Sequence, residues 1–165
     1  MRHAKSALVA SLAVSQIIGW GTTFEMPAVF GRQIASELGM ANETAFAGLT
    51  VMMLVMAALG PKTGTLIARL GAARVLALGS LTMASGLCVL SAAQGIVTYG
   101  LAWLIFGLGG SFALSVPALA AVVEREGREA RRTIGILMVF TGLSSAVCWP
   151  LLALAIGAFG IGTTE

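Results

Sequence analysis

An all-α bundle of membrane-crossing helices is the fold class this sequence predicts, on three observations. Of the 165 residues, 58% are hydrophobic and only 10% are charged, with a mean hydropathy of +0.94; average soluble domains carry roughly 25% charged residues. The charges are gathered between long uncharged runs, at residues 6 to 24, 44 to 61, 75 to 123 and 133 to 164. Each run is close to or above the roughly 20 residues that cross about 30 Å of hydrocarbon. A charge at the centre of a span costs about 2.5 to 3.5 kcal/mol on insertion scales, so the uncharged runs are the natural crossing points.

The first span is expected at about residues 7 to 31. Arg2 and Lys5 precede it and Ala13-Val14-Ser15 has the small residues of a cleavage site, as in a signal peptide. The apolar run continues through Gly21, however, and further spans follow, so an uncleaved helix is the simpler account. Residues 32 to 43 form a short loop before a second span at about 44 to 66. Gly60 to Leu76, with Lys62, Arg69 and Arg74, is expected to be a short basic connector that returns the chain at once into an apolar run. The stretch from Val75 to Val123 would be about 74 Å long as one helix at 1.5 Å per residue, more than twice the hydrocarbon thickness. It must fold back, and the turn signal is Ser91-Ala92-Ala93-Gln94-Gly95. That gives spans at about 75 to 93 and 97 to 122, a mixed-charge helical connector from Glu124 to Arg132, and a fifth span at about 134 to 158 within a single transmembrane domain.

Orientation follows from the basic residues of the short loops. With the N-terminus cytoplasmic, Arg2, Lys5, Lys62, Arg69, Arg74, Arg125, Arg128, Arg131 and Arg132 are all inside and Arg32 alone is outside. A multi-pass protein of the cell's inner membrane is the expectation.

Composition also narrows the chemistry. All seven acidic residues are Glu, and His3 is the only histidine. No metal site or acid–base cluster built from His and Asp is available, and no cofactor is implied. The net charge of +3 does not point to nucleic acid, because the basic residues lack the aromatic interleaving of a binding face. Cys88 and Cys148 lie deep in apolar runs, where a thiol packs as a small hydrophobe. Glu25 is the one ionisable side chain within a span and has no partner nearby in sequence, so an enzyme is not expected.

Three stretches interrupt the aliphatic pattern. Gly19-Trp20-Gly21-Thr22-Thr23-Phe24-Glu25-Met26-Pro27 places glycines, hydroxyls, a carboxylate and proline in the first span. Irregular backbone of this kind is tolerated beside cavities, so Trp20, Thr22 and Thr23 are candidates to face a solute. Glu25 is either a cavity residue or an outer-interface residue. In the fourth span, Gly107-Leu108-Gly109-Gly110-Ser111 reads first as a close helix contact. Ser111 and Ser115, the latter two residues before Pro117, are the cavity candidates there. In the fifth span Ser144, Ser145, Trp149 and Pro150 bring hydroxyls, an indole donor and a kink together. Ser144 and Trp149 are read either as cavity lining or as helix contacts.

Taken with the spans, these motifs resemble the N-terminal half of a major facilitator superfamily transporter, of the bacterial monocarboxylate-porter-like type. Gly19-Trp20-Gly21-Thr22-Thr23 with Met26-Pro27-Ala28-Val29 is similar to that group's first helix. Gly60-Pro61, Gly64, Leu66, Arg69, Gly71 and Arg74-Val75-Leu76 resemble the superfamily's cytoplasmic loop motif, usually written G-x-L-x-D-R-x-G-x-R. Gly127-Arg128-Glu129-Ala130-Arg131-Arg132 and Trp149-Pro150-Leu151 resemble its connector and fifth helix. The resemblance implies transmembrane transport of a small solute, an organic acid being the class it suggests, by alternating access and often with proton coupling. The sequence departs from the pattern where Ala68 replaces the loop's Asp, and it has no basic residue between Val75 and Val123. With five spans, it reads as a truncated half. A remnant that does not transport and only associates with other membrane helices is therefore the alternative expectation.

Overall fold

The computed structural model describes residues 2 to 146, 149 to 151 and 154. Among these the regular structure is entirely helical, so the expected all-α bundle is what forms. Helix α1 (Arg2–Trp20) passes through a π-turn, Gly21–Glu25, into α2 (Met26–Glu37). There follow α3 (Asn42–Leu70), α4 (Ala72–Ser91), α5 (Ile96–Ala113), α6 (Ser115–Glu126), a 3₁₀ turn at Gly127–Glu129 and α7 (Ala130–Gly142).

Among the described residues four stretches are long and apolar enough to cross a membrane: Asn42–Leu70, Ala72–Ser91, Ile96–Glu126 and Ala130–Leu151. The first expected span is not among them. Its π-turn leaves a 19-residue segment that opens with Arg2, His3 and Lys5, and a 12-residue segment that ends at Glu37. The turn expected after Ser91 is present, since α4 stops there and Ala92 N–H closes its last turn onto Cys88 O at 3.2 Å. The last residues of the fifth expected span, and Cys148, lie outside the described residues.

The basic connector from Gly60 to Leu76 is corrected. Helix α3 runs straight through Gly60, Pro61, Lys62 and Gly64 to Leu70, and Gly71 is the whole turn. Its length explains this: 29 residues span about 44 Å at 1.5 Å each, longer than about 30 Å of hydrocarbon. The charges mark where the apolar run ends, whereas the helix ends only where the backbone can reverse. Gly71 does so at φ 80°, ψ 149°, a region that is essentially closed to residues with a Cβ.

Helix α5 is the central element, packed against α3 and α4, while α2 packs on α3, α1 on α7, and α6 on α4 and α7. Trp103 and Phe106 are fully buried with their rings 5.4 Å apart in an edge-on arrangement, surrounded by Met52, Met83, Tyr99 and Leu114. The Tyr99 hydroxyl donates to Ala45 O at 2.5 Å, tying α5 to the start of α3. A second cluster joins Leu12 and Ala13 of α1 to Ala118, Val122, Ala130 and Leu137. Large apolar side chains also point outward, among them Leu54, Leu81, Val97 and Val139, so much of the outer surface is apolar. Cys88 belongs to this outward set and not to the core.

Glycine sets how close the helices come. A Cβ on Gly79 of α4 would lie 2.4 Å from the Phe112 carbonyl carbon of α5, and one on Gly109 would lie 2.7 Å from Met83 Cγ. The glycine run of the fourth span is thus a helix contact, as its small residues predict. We expect Gly79→Leu to cost at least about 1 to 3 kcal/mol through overpacking against backbone that cannot yield. Gly135→Ala, which meets nothing within 4 Å, should be neutral or stabilising. Unfolding in mixed detergent micelles compares the two, and equal effects would remove the close-contact account.

Candidate functional site

The site is built where two helices lose their regular hydrogen bonds. In the first, Gly21–Glu25 adopts π geometry, closed by the Met26 N–H donating to Gly21 O. Pro27 lacks an N–H, so the turn before it cannot be finished in α-helical register. Single π-turns inside α-helices occur often at functional sites. The threonines of this stretch serve the backbone: Thr22 Oγ1 donates to Ile18 O at 2.7 Å, and Thr23 Oγ1 to Gly19 O at 2.7 Å.

The second interruption divides the fourth span. Leu114 leaves helical geometry at φ −84°, ψ −155°, and α6 restarts at Ser115. Pro117 again has no N–H for the carbonyl four residues back, that of Ala113. Gln16 of α1, only 2% exposed, supplies the donor instead through Nε2 at 2.9 Å. A buried amide has to find partners, and here one side chain satisfies a helix break on another element. The sequence reading passed over Gln16; its signal was that of a lone amide in the run from 6 to 24.

Both interruptions border one cleft of about 230 Å³. Gly19 and Thr22 come from the first helix, Ala113 and Leu114 from the second break, and Ser80 and Met83 from α4. Among the described residues the lining carries the hydroxyls of Ser15, Thr22 and Ser80 and no charged side chain.

The predicted residues take several positions around this centre. Thr22 lines the cleft, whereas Thr23 is fully buried. Trp20 is half-buried and packs on Phe24 with ring centres 5.0 Å apart. Its Nε1 is buried and meets no protein acceptor. Ser111 is buried and donates to Gly107 O at 2.8 Å, and Ser144 is 4% exposed. Ser115 lines a separate small cavity with Gln16 and Thr141.

Glu25 is corrected: it does have partners. Ser145 Oγ donates to Glu25 Oε1 at 2.5 Å and Trp149 Nε1 to Glu25 Oε2 at 2.8 Å. These bonds tie the π-turn to the fifth span across 120 and 124 positions of sequence.

At the opposite end of α4, the loop-motif residues Gly64, Arg69 and Arg74 are exposed and Gly71 forms the turn. No Ser, Thr, Asp or Asn caps α4, and the Ala72 N–H donates instead to Glu124 Oε1 at 3.1 Å and Oε2 at 3.0 Å. A carboxylate at a helix N-terminus also meets the positive end of its dipole. The connector is therefore more than a solvated stretch, since Glu126 also accepts from Thr133 at 2.5 Å.

No group of three or more His, Cys, Asp or Glu that could hold a metal ion occurs among the described residues. No family model, curated protein or solved structure matches the chain. The class that fold and site define is an all-α helical bundle with two interrupted helices meeting at an uncharged cleft.

Removing the Glu124 cap tests the loop geometry. Glu124→Ala is expected to lower stability by about 0.5 to 2 kcal/mol, the usual cost of losing an N-terminal cap. Glu126→Ala, whose partner is a single hydroxyl, serves as the comparison in the same unfolding measurement. A Glu124→Ala variant as stable as the parent would mean that the bond contributes nothing.

Proposed function

We propose that this chain is a multi-pass protein of the cell's inner membrane, of the major-facilitator type, that moves a small solute across the bilayer. The observation that carries this reading is the meeting of two interrupted helices, at Gly21–Glu25 and at Leu114, on one cleft. Secondary transporters form their binding sites from discontinuous helices of this kind, where freed backbone groups and side-chain hydroxyls meet the solute. The apolar outer surface supports a lipid environment, in which irregular backbone is tolerated only when it is buried in protein or lines a cavity.

The cleft limits what the solute can be. With three hydroxyls and no basic side chain on its lining, it offers nothing to balance a carboxylate. Burying an unpaired charge is far costlier than neutralising it. An organic acid would therefore enter this cleft protonated, so that proton and acid move together. In this reading α1, the π-turn and α2 together make one further, interrupted crossing and the N-terminus is cytoplasmic, so that the basic residues Lys62, Arg69 and Arg74 lie inside.

Uptake of labelled lactate and of a neutral analogue into vesicles containing only this chain tests the proposal. Saturable uptake above that of empty vesicles is expected, rising as the outside pH falls. Ala84→Phe, which fills the cleft from an exposed α4 position, should lower the uptake efficiency by about ten-fold or more without unfolding the chain. Uptake no greater than in empty vesicles would favour the alternative, a bundle that only associates with other membrane helices.

A further inference from the structure

We propose that the small cavity between α1, α6 and α7 is a binding site for one water molecule, held by Gln16, Ser115 and Thr141. The cavity has about 10 Å³ open to the centre of a water-sized sphere, and its walls include those three side chains together with Ala118, Leu137 and Met138. Space open to the centre of such a sphere admits a water molecule, which is held there when it also finds two to four polar partners.

The hydrogen-bond inventory specifies the occupant. Gln16 is 2% exposed, and its Nε2 donates to Ala113 O, which can only accept, so the orientation of the amide is fixed. Its Oε1 is buried, and no protein donor reaches it. Thr141 donates its hydroxyl hydrogen to Leu137 O at 2.9 Å, which leaves its lone pairs as acceptors toward the cavity. Ser115 brings a rotatable hydroxyl that can donate. The site therefore offers two acceptors and one donor. A water molecule complements this set by donating to Gln16 Oε1 and Thr141 Oγ1 and accepting from Ser115 Oγ. A sodium ion would accept the same oxygens as ligands, but no carboxylate lines the cavity to balance its charge. An apolar occupant would leave Gln16 Oε1 without a partner.

The site has a structural consequence that does not depend on the transport reading. Gln16 already holds the carbonyl exposed by Pro117, and the water extends the same amide to Ser115 on the restarted helix and to Thr141 on the fifth span. One side chain and one solvent molecule thus bridge three helices at the break.

Water-selective NMR on the whole chain in micelles, with the glutamine side-chain amides labelled, tests this. The expected result is a long-lived cross-peak between water and the Gln16 amide hydrogens. Thr141→Val keeps the side chain's shape and leaves the Gln16 bond to Ala113 intact, and it should cut that cross-peak by about half or more. Gln16→Leu removes the reporting amide and so assigns the signal to Gln16, while Thr141→Val carries the test. A folded parent protein with no such cross-peak overturns the proposal. So does a Gln16 amide signal that shifts saturably with sodium and not with choline, since that result assigns the site to a cation.

Discussion

A helix that stops inside an apolar bundle leaves carbonyl or N–H groups that must find a partner in protein or in ordered water. The three irregular points described here all follow from this demand. Thr22 and Thr23 turn their hydroxyls onto the carbonyls of Ile18 and Gly19 beside the π-turn. Gln16 crosses from α1 to the Ala113 carbonyl that Pro117 leaves open. Glu124 reaches from the end of α6 to the first N–H of α4. Polar side chains inside a nearly uncharged bundle are thus placed where the backbone needs them, and the cleft lies where two such repairs adjoin.

Between these points the bundle relies on contact rather than on hydrogen bonds. In the proposed membrane setting, helices gain little by hiding side chains from their surroundings and associate through close packing. Gly79 and Gly109 give α4 and α5 that closeness, while Trp103 lies against Gly48 of α3 and Phe106 against Gly86 of α4. The same economy explains why so many leucines and valines face outward at no evident cost.

How much of this could be read from the chain depended on how local each cause is. The all-helical class and the turn at Gln94-Gly95 rest on hydropathy and on adjacent residues, and both are present. The glycine contact in α5 was legible for the same reason. The end of α3 was misplaced because charge reports the boundary of the apolar run, whereas Lys62 and Arg69 stand on a helix that continues past it. Partnerships across the fold were invisible: Glu25 with Ser145 and Trp149, Gln16 with Ala113 and Glu124 with Ala72 pair residues 52 to 124 positions apart. Sequence singled out only Glu25, as an isolated charge, which says that a partner is required and not which one, and it passed over Gln16 and Glu124.

The single-residue turn at Gly71 bears on how the chain is assembled. A linker of one glycine gives α3 and α4 no slack to separate, so the two helices form one hairpin from the moment both are made. The carboxylate that finishes the turn arrives only with Glu124, after α5 and most of α6 have been made. Synthesis order therefore leaves this hairpin uncapped until the fourth span is complete, and closure of the turn records that moment.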